Sequence, residues 1–423
     1  MESVDSGKVK SMKILHISSG APLDYRGGIQ NYVRTLAKAQ HEKGDEVYVL
    51  GESSKEEYDF KLVSCNPGCK VVRLGMLKDP EQLRLLKDFF EKNRFDLIHI
   101  HMMMNIDWDI CSILKDYRYI VSLHDYFFIC PRVNMMKPDQ SLCRKRNGEQ
   151  CRKCVSYWEQ AAVLRKPYNL ARQLLKKPFL KAPYLPQKIT DIRYEKFKEL
   201  LENASLLIPV SKRVEAIFRD SGINGRYETL YIGNTSAYSF KEEKPIGGKS
   251  NRKIIVAMIG SFVFIKGAKQ FIKIAKKLDG DKYELHFWGN CQEYEAQMRD
   301  AGIRNHGKYD PDDLEKILSD IDIGCILPVW EDNAPQVVME LLNNRVPVVA
   351  TKMGGIPEFI NEKNGYLYDP YSEESFGKLL DFFENLTPER IQEMSRNIQR
   401  TLTPDEHLEQ LQTVYKKVLA NHL

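Results

Sequence analysis

Two acidic residues, Asp332 and Glu340, lie eight positions apart at the start of a predicted helix. Pro335 suits the first helical turn, where its missing N–H costs nothing, and Asp332 or Asn333 can cap the helix. Glu340 falls outside the apolar face of the helix, which is formed by Val337, Val338, Leu341 and Leu342. A helix N-terminus presents N–H groups to an anion, and nearby carboxylates can hold sugar hydroxyls. This combination suits a ligand in which a sugar is attached to a phosphate.

A lysine and two glycines occupy predicted loops that can also meet phosphate. Lys266 lies between a strand that ends at Gly260 and a helix that begins near Ala268, where its charge can neutralise a pyrophosphate leaving group. Gly27 and Gly28 follow the first strand and leave the N–H groups of the next helix open to phosphate. The alternatives are an exposed loop lysine and a plain tight turn.

His124 and Asp125 directly follow the apolar strand Y-I-V-S-L, a position where α/β proteins carry functional side chains. His101 ends the preceding strand in the same way. The alternative for His124 and Asp125 is a capping pair with a hydrogen-bonded histidine. The segment Asp320–Asp322 matches a D-x-D metal motif in form, but it opens a strand instead of closing one, and we interpret it as chance.

Four of the nine cysteines lie within 25 residues, at Cys130, Cys143, Cys151 and Cys154. The last two form a C-x-x-C pair, and four thiolates are compatible with a structural, tetrahedral zinc ion. The spacing between the first three matches no standard zinc finger. Reduced thiols in a loop are the alternative.

The segment 144–198 carries 15 Lys and Arg against 4 Asp and Glu, although the net charge of the whole chain is only +5. Aromatic residues are interspersed with the cations at Tyr157, Trp158, Tyr168, Phe179, Tyr184, Tyr194 and Phe197. Such a mixture suits an anionic membrane face or an anionic acceptor. A nucleic-acid partner is not expected, since no recognition motif accompanies the charge. A solvated helical surface is the alternative.

The elements that must position these residues form two similar halves. At 423 residues the chain exceeds one ordinary core, and apolar strands alternate with helical patterns throughout. The pattern predicts an α/β protein with parallel sheets and a ligand cleft between two domains, outside the carboxyl ends of the strands. The second set of strands is predicted to start with Y-E-T-L-Y-I, and the first to include C-K-V-V-R-L. The predicted domains are 1–212 with a basic, cysteine-containing insertion at 130–198, then 213–403, and a final helix at 404–423 that returns to the first domain.

A cytoplasmic location is expected. No apolar run reaches the length of a membrane span, and the first residues show no signal pattern. The N-x-S/T triplets at Asn203, Asn234 and Asn385 are then chance. The basic segment allows a peripheral contact with the cytosolic membrane face.

Four stretches of the chain together resemble one enzyme family. They are M-K-I-L-H-I-S-S-G-A-P with R-G-G-I-Q-N-Y-V, then S-L-H-D-Y-F-F-I-C-P-R, I-K-G-A-K-Q-F-I, and W-E-D-N-A-P-Q-V-V-M-E-L-L-N-N-R-V-P-V-V-A-T with G-G-I-P-E. In this order, over about residues 13–415, they resemble the retaining glycosyltransferases of family 4, group 1, with the GT-B fold. The resemblance implies two Rossmann-like, doubly wound domains that face a central cleft.

The resemblance also implies residue roles. His124 would approach the donor sugar, Lys266 would bind the diphosphate, and Asp332 and Glu340 would be the acidic pair that holds sugar and ribose. Further donor contacts would come from Gly27, Gly28, Ser261, Gly289, Glu331, Asn333, Ala334, Pro335, Gln336 and Val337.

Two positions depart from the family pattern. Ser261 stands where an arginine is usual, so one phosphate-binding cation is missing unless Arg132 or another residue replaces it. The first acid is usually glutamate, so Asp332 and its neighbour Glu331 remain alternative candidates.

The implied reaction is transfer of a hexosyl group from a nucleoside diphosphate sugar to a saccharide or lipid-linked acceptor, with retention and without a required metal or cofactor. The expected product is a surface polysaccharide or glycoconjugate. The alternatives are a non-hydrolysing nucleotide-sugar epimerase and a catalytically weak binding or scaffold protein.

Overall fold

The structure is a computed structural model that describes residues 11–19, 23–25, 27–53, 58–63, 80–104, 106–144, 148–155, 162–175, 187–240 and 252–420. The chain folds into two compact units. Unit 1 comprises residues 1–209, 217–230 and 408–423, and unit 2 comprises residues 210–216 and 231–407. The predicted strand C-K-V-V-R-L lies outside the described residues.

Unit 1 contains a six-stranded sheet in the order β3-β2-β1-β4-β5-β6. All of its pairings are parallel. The strands are β1 (Lys13–Ser19), β2 (Glu46–Leu50), β3 (Lys61–Val63), β4 (Leu97–Met103), β5 (Tyr119–Leu123) and β6 (Leu206–Pro209). The central strands are buried over almost their whole length, as expected for a parallel sheet covered on both faces.

Helices connect the strands of unit 1. Those before β6 are α1 (Gly28–Glu42), α2 (Pro80–Lys92), α3 (Ile110–Leu114), α4 (Gly148–Cys154), α5 (Ala162–Leu174) and α6 (Gln187–Glu202). The next helix, α7 (Lys212–Asp220), contains the point at which the chain passes between the units.

Unit 2 contains a second six-stranded parallel sheet, in the order β12-β11-β10-β7-β8-β9. Its strands are β7 (Ile254–Ser261), β8 (Tyr283–Asn290), β9 (Arg304–Asn305), β10 (Ile323–Ile326), β11 (Val348–Thr351) and β12 (Gly365–Tyr368). Its helices are α8 (Ala268–Ala275), α9 (Glu295–Asp300), α10 (Leu314–Asp320), α11 (Gln336–Asn343), α12 (Glu373–Glu384) and α13 (Pro388–Arg396).

Alternate side chains of β7 enter two different cores of unit 2. Val256 and Met258 belong to one apolar cluster, and Ala257 and Ile259 belong to another. Because successive side chains of a strand point to opposite faces, the two clusters show that helices cover both faces of the sheet. Two such sheets confirm the predicted α/β class.

The predicted strand Y-E-T-L-Y-I is not the first strand of unit 2, and this prediction was wrong. Its residues pair with β6 of unit 1 instead, because Leu207 donates its N–H to the carbonyl of Arg226 at 2.8 Å and accepts from Glu228 at 3.1 Å. The chain makes one bridge there, between Leu207 and Tyr227. Alternating apolar residues fit either sheet edge, so the local pattern did not identify the partner.

The last helix, α14 (Pro404–Ala420), belongs to unit 1 from Leu408 onward. Its buried side chains Leu411, Val414 and Tyr415 pack in one cluster with residues of β1 and β4. Within the described part of the chain, none of the helices combines the length and apolar character needed to span a bilayer.

Candidate functional site

The segment before α11 leaves the N-terminus of that helix without a side-chain cap. Pro335 is the N-cap residue and the helix begins at Gln336, so the proline precedes the first turn in which it was predicted to lie. Neither Asp332 nor Asn333 caps it, contrary to the prediction. The carboxylate of Asp332 binds the Nζ atom of Lys266 at 2.6 Å instead. The N-cap residue of α11 therefore supplies no side-chain cap that would compete with an anionic ligand.

The turn that carries Lys266 is held against β10 by a glycine. Phe264–Lys266 forms a single 3₁₀ turn, and Gly267 follows it with a φ of +93°. A Cβ atom on Gly267 would lie 1.9 Å from the carbonyl oxygen of Leu327, so only glycine fits there. The N–H of Val329 also donates to the carbonyl of Ile265 at 3.0 Å. The two loops thus fix the distance between Lys266 and Asp332.

Glu331 is engaged differently from its neighbour Asp332. Arg213 binds both carboxylate oxygens of Glu331, with its Nε atom at 3.1 Å, and the N–H of Gly354 donates to the same group at 2.9 Å. These bonds tie the loop before α11 to α7 and to the turn after β11. Asp332 pairs with the lysine predicted to bind the diphosphate, so the geometry favours Asp332 over Glu331 as the ligand-facing acid.

Glu340 lies on α11 and receives a hydrogen bond from the side chain of Asn234. Burial raises the pKa of Glu340, and the bond from Asn234 offsets part of that shift. The amide of Asn234 also donates to the side chain of Gln336 at 2.6 Å. Burial, and to a smaller extent the charge of Glu340, raises the pKa of Tyr309 to about 12. Asn234 thereby links the first and second turns of α11 on the side that bears Glu340.

Ser261 ends β7, and Gly289 is the next-to-last residue of the adjacent strand β8. Gly260 is paired with Gly289, and a Cβ atom on Gly289 would lie 1.7 Å from the carbonyl oxygen of Gly260. Ser261 is exposed at this edge. Arg132, considered as a substitute for the missing arginine, lies in unit 1 and donates to the carbonyl of Cys154 at 3.0 Å. It therefore has a structural contact within the cysteine-containing segment.

In unit 1, His124 ends a row of histidines. Its Nε2 atom lies 3.1 Å from Nδ1 of His101, whose Nε2 atom lies 2.9 Å from Nδ1 of His16. The row closes at Gln40, whose side-chain oxygen accepts from Nε2 of His16 at 2.6 Å. Burial lowers the pKa of His16 to about 4, so this ring is neutral at physiological pH. Because neutral His16 donates through Nε2 to Gln40, its Nδ1 atom accepts from Nε2 of His101.

Gly27 and Gly28 form the start of α1. Gly27 is the N-cap residue, and it has no side chain that could cap this 15-residue helix. The phosphate-facing role of the loop stays a prediction. Asp125 accepts from the N–H of Phe127 at 2.8 Å and so shapes the loop after His124.

Four polar residues of unit 2 that hydrogen-bond to or lie near the candidate site residues were not predicted from the sequence to take part in the site. Glu358, inside the G-G-I-P-E motif, accepts the N–H groups of Lys212 and Arg213 at 3.0 Å and so caps α7. Arg213, Asn234 and Tyr309 are the others. The bonds from Lys212 to Glu358, from Arg213 to Glu331 and from Asn234 to Gln336 span 146, 118 and 102 positions of the chain, so no local pattern identifies them. Asn234 stood out only as part of an N-x-S triplet.

The D-x-D segment has a structural role at its second aspartate. Asp322 binds Arg252 at 2.6 Å and accepts the N–H of Ile255 at 2.8 Å. These bonds hold the amino ends of β7 and β10, the edge of the sheet opposite to Lys266. This agrees with the interpretation of the motif as chance.

Two family models match the chain. The model described as Glycosyltransferase Family 4 matches residues 26–233, and the model described as Glycosyl transferases group 1 matches residues 239–401. No curated relative matches the sequence.

Solved structures show the same fold along the whole chain. Sucrose-phosphate synthase from Thermosynechococcus elongatus is 16% identical with a TM-score of 0.65, and the match covers 97% of this chain and 99% of that one. WaaG, a glycosyltransferase involved in lipopolysaccharide biosynthesis, is 14% identical with a TM-score of 0.63, covering 96% and 100%. Anabaena HepE in complex with UDP is 16% identical with a TM-score of 0.62, covering 96% and 100%.

The family models, the two parallel sheets and these neighbours agree with the resemblance of the motifs. The chain belongs to the group 1, family 4 glycosyltransferases and has the GT-B type of fold.

Proposed function

We propose that this glycosyltransferase moves a hexosyl group from a nucleoside diphosphate sugar to a saccharide or lipid-linked acceptor, with retention of anomeric configuration. The observation that carries the proposal is the pairing of Lys266 with Asp332 beside the uncapped N-terminus of α11. A cation and free backbone N–H groups suit a diphosphate, and the carboxylates suit sugar and ribose hydroxyls. Neighbours of the same fold are solved with UDP and with UDP-glucose, which supports the donor class.

In unit 2, each group would have a distinct task. The side chain of Lys266 is 39% exposed, whereas that of Asp332 is 9% exposed, so the ammonium group can turn to an arriving diphosphate. Asp332 would then be left to accept from a sugar hydroxyl. Glu340, held by Asn234, would accept from the ribose hydroxyls. Ser261, Gly289, Asn333 and Ala334 would line the same donor site through small side chains and backbone groups.

The proposed chemical step needs no covalent enzyme intermediate. The acceptor oxygen forms its bond to the anomeric carbon on the face from which the diphosphate leaves, and the proton of the acceptor hydroxyl passes to a departing phosphate oxygen. The products are the glycosylated acceptor and the nucleoside diphosphate. Lys266 and the helix N-terminus would stabilise the negative charge that develops on the leaving group, which is the term that usually dominates such catalysis. This scheme asks for no metal or cofactor; trapping of a glycosyl-enzyme would contradict it.

We assign the acceptor and the donor sugar contacts of unit 1 to the loop at Gly27 and Gly28 and to His124. The uncapped start of α1 supports the first assignment. The histidine row supports the second, because the contact with His101 holds the ring of His124 at the end of the row, directly after β5.

We further propose a cytoplasmic protein whose basic segment makes a peripheral contact with an anionic membrane, where a lipid-linked acceptor would reside. Three leucines of this segment support the contact, since the exposed fractions of Leu170, Leu174 and Leu175 are 57%, 74% and 59%. Apolar side chains next to cations are the composition of helices that bind the surface of a bilayer. No nucleic acid is expected as a partner.

Nucleotide binding by the purified protein tests the donor assignment. We expect one of UDP, GDP, ADP or CMP to stabilise the protein, by about 2.7 kcal/mol at a hundredfold excess over Kd. Lys266→Ala should weaken that affinity by about tenfold or more, because a charge-assisted bond contributes about 1.5–3 kcal/mol. Lys277→Ala, which removes an exposed lysine of the same unit, should leave the affinity unchanged.

The product then distinguishes the proposal from its rivals. A new glycoside with the anomeric configuration of the donor supports a retaining transferase, and the inverted configuration contradicts it. Interconversion of the nucleotide sugar alone would identify an epimerase. Absence of a thermal shift with every nucleotide and nucleotide sugar would favour a binding or scaffold protein. The missing phosphate-binding arginine at position 261 would then explain the loss of nucleotide binding.

A further inference from the structure

Four cysteine side chains of unit 1 line one small cavity. Its volume is about 20 Å³, enough for roughly one water-sized particle. The remaining walls are mostly apolar, and the full lining is Ile129, Cys130, Pro131, Arg132, Met135, Met136, Cys143, Cys151 and Cys154. Thiols from a segment of 25 positions therefore converge on a space that suits a single ion.

The four cysteines come from two elements, a hairpin-like turn and a helix. Cys130 and Cys143 flank the turn, where Met136 and Leu142 form an antiparallel bridge and the N–H of Cys143 donates to the carbonyl of Met135 at 2.7 Å. Cys151 and Cys154 lie three residues apart on α4 and so share one helical face. Two ligands from a turn and two from a helix can surround an ion tetrahedrally.

Two backbone N–H groups face the sulfur atom of Cys130. Burial raises the pKa of this thiol, and the hydrogen bonds from the N–H groups of Arg132 and Met135 to the sulfur atom offset part of that shift. Four thiolates around Zn²⁺ carry a net charge of −2, and cationic residues stand next to the ligands at Arg132, Arg144, Arg152 and Lys153. Electrostatics therefore favours the complex over the four separate thiolates.

A second group of residues that could bind a metal, three histidines of unit 1, already has hydrogen-bond partners at every ring nitrogen. The ligand atoms of His16, His99 and His101 lie within 4.8 Å of one another, the only such group among the described residues. Each ring nitrogen of these histidines already lies within hydrogen-bond distance of a partner: Gln40, Ser122, His124, Tyr415 or another histidine of the group. The cysteine sulfur atoms are more widely spaced, and an ion would draw them to Zn–S distances of about 2.3 Å.

We propose that Cys130, Cys143, Cys151 and Cys154 bind one structural Zn²⁺, with release of the four thiol protons. The ion would fasten the turn to α4 and thereby hold the loop that follows His124 and Asp125. His124 lies six residues before the first ligand, Cys130. The site is independent of the nucleotide, so its occupancy does not depend on the proposed transferase function.

Metal content of the full-length protein, purified under reducing conditions without chelator, is the direct test. We expect one zinc per chain by elemental analysis, and full release of that zinc when a mercurial reagent modifies the thiols. Replacement by Co²⁺ should give the sulfur-to-cobalt charge-transfer absorption and the intense visible bands of a tetrahedral thiolate site. These measurements use the unmodified chain, so they stand even if a variant fails to fold.

Variants locate the ligands. Cys143→Ser and Cys154→Ser should each lower the zinc content well below one per chain and shift the cobalt spectrum. Cys291→Ser, a partly exposed cysteine of unit 2, should retain one zinc per chain and the wild-type spectrum. Absence of zinc and of a cobalt–thiolate spectrum, or unchanged zinc content in both ligand variants, would overturn the proposal. So would alkylation and mass spectrometry that find the four cysteines paired as disulfides.

Discussion

The carboxyl group of Glu340, proposed to bind the ribose, is buried at a cost to the stability of the fold. It lies on α11, outside the apolar face that packs in the core, and Asn234 is the side chain that hydrogen-bonds to it. Burial raises its pKa, which means that the folded protein holds the ionised form at a cost. A ribose that donates hydroxyl hydrogens would offset this cost, so the unfavourable burial fits a binding role.

Glu340→Gln should therefore stabilise the protein near neutral pH and abolish tight nucleotide binding. The raised pKa means that the folded state binds more protons than the unfolded state, so the stability due to Glu340 falls as pH rises above 4.5 through its folded pKa. The variant removes this loss of stability. Its free energy of unfolding should exceed that of the wild type by roughly 0.5–2 kcal/mol at pH 7, and the difference should vanish below pH 4.5. Urea unfolding of both proteins at pH 7 and below pH 4.5 measures the difference.

The exposed Glu293 of unit 2 supplies the control. Glu293→Gln should change neither the stability difference between the two pH values nor the nucleotide affinity. Equal stability of wild type and Glu340→Gln at pH 7, with affinity retained, would contradict the assignment of Glu340 to the ribose.

The turn Phe264–Lys266 and Gly267 form the element on which the proposed diphosphate site depends. The turn joins β7 to α8, and the glycine that ends it takes a left-handed conformation directly against the backbone at the end of β10. The N–H of Gly267 donates to the carbonyl of Phe264 at 3.0 Å, which closes the turn. The position of the Lys266 ammonium group thus follows from a backbone contact that leaves no room for a side chain.

Gly267→Ala should destabilise unit 2 by about 1–3 kcal/mol or more, because it combines a left-handed residue with an overlap of the Leu327 carbonyl. The displaced turn should also weaken nucleotide affinity, although Lys266 itself is retained. Gly377→Ala is a matched control within α12, where an added Cβ meets nothing within 4 Å. It should raise stability by about 0.5–1 kcal/mol, since alanine favours a helix. Similar unfolding midpoints for the two variants would refute the steric argument.

For the molecule as a whole, the proposed membrane contact depends on where the charges lie along the chain and not on the net charge. The segment 144–198 has a net charge of +11, from 15 cations and 4 anions. Because the whole chain carries only +5, the rest of the chain has a net negative charge. Exposed leucines of α5 and its end accompany this charge. Both terms of membrane-surface binding, electrostatic attraction and apolar insertion, are thereby present in one segment.

Vesicles that contain phosphatidylglycerol should therefore bind the protein, and neutral phosphatidylcholine vesicles should not. Binding should weaken as salt rises, because the attraction is screened. The double variant Leu174→Ser/Leu175→Ser should lower vesicle affinity by about a hundredfold or more, since burial of each leucine contributes about 1.5–3 kcal/mol. Leu85→Ser, in the exposed part of α2, is the control and should bind as wild type. Equal co-sedimentation with neutral and anionic vesicles would remove the membrane contact from the proposal.

Local sequence pattern was sufficient for most of the architecture. Buried strands such as β4 and β11 are short apolar runs, and α1 shows its apolar stripe directly in the spacing of Val33, Leu36 and Ala37. These signals follow from the periods of helix and strand, which a single chain displays without knowledge of its neighbours. The order of the quoted motifs likewise indicated the family from the sequence alone.

The partners of the side chains came from tertiary structure. Whether Asp332 caps α11 or binds Lys266, which of two adjacent acids Arg213 holds, and which sheet receives the segment around Tyr227 all depend on residues distant in the chain. The contacts within the histidine row and the shared cavity of the four cysteines likewise became visible only in the tertiary structure. Free energies of such contacts arise from distances and burial that exist only after folding, so sequence spacing could supply the candidates for the site but not their connections.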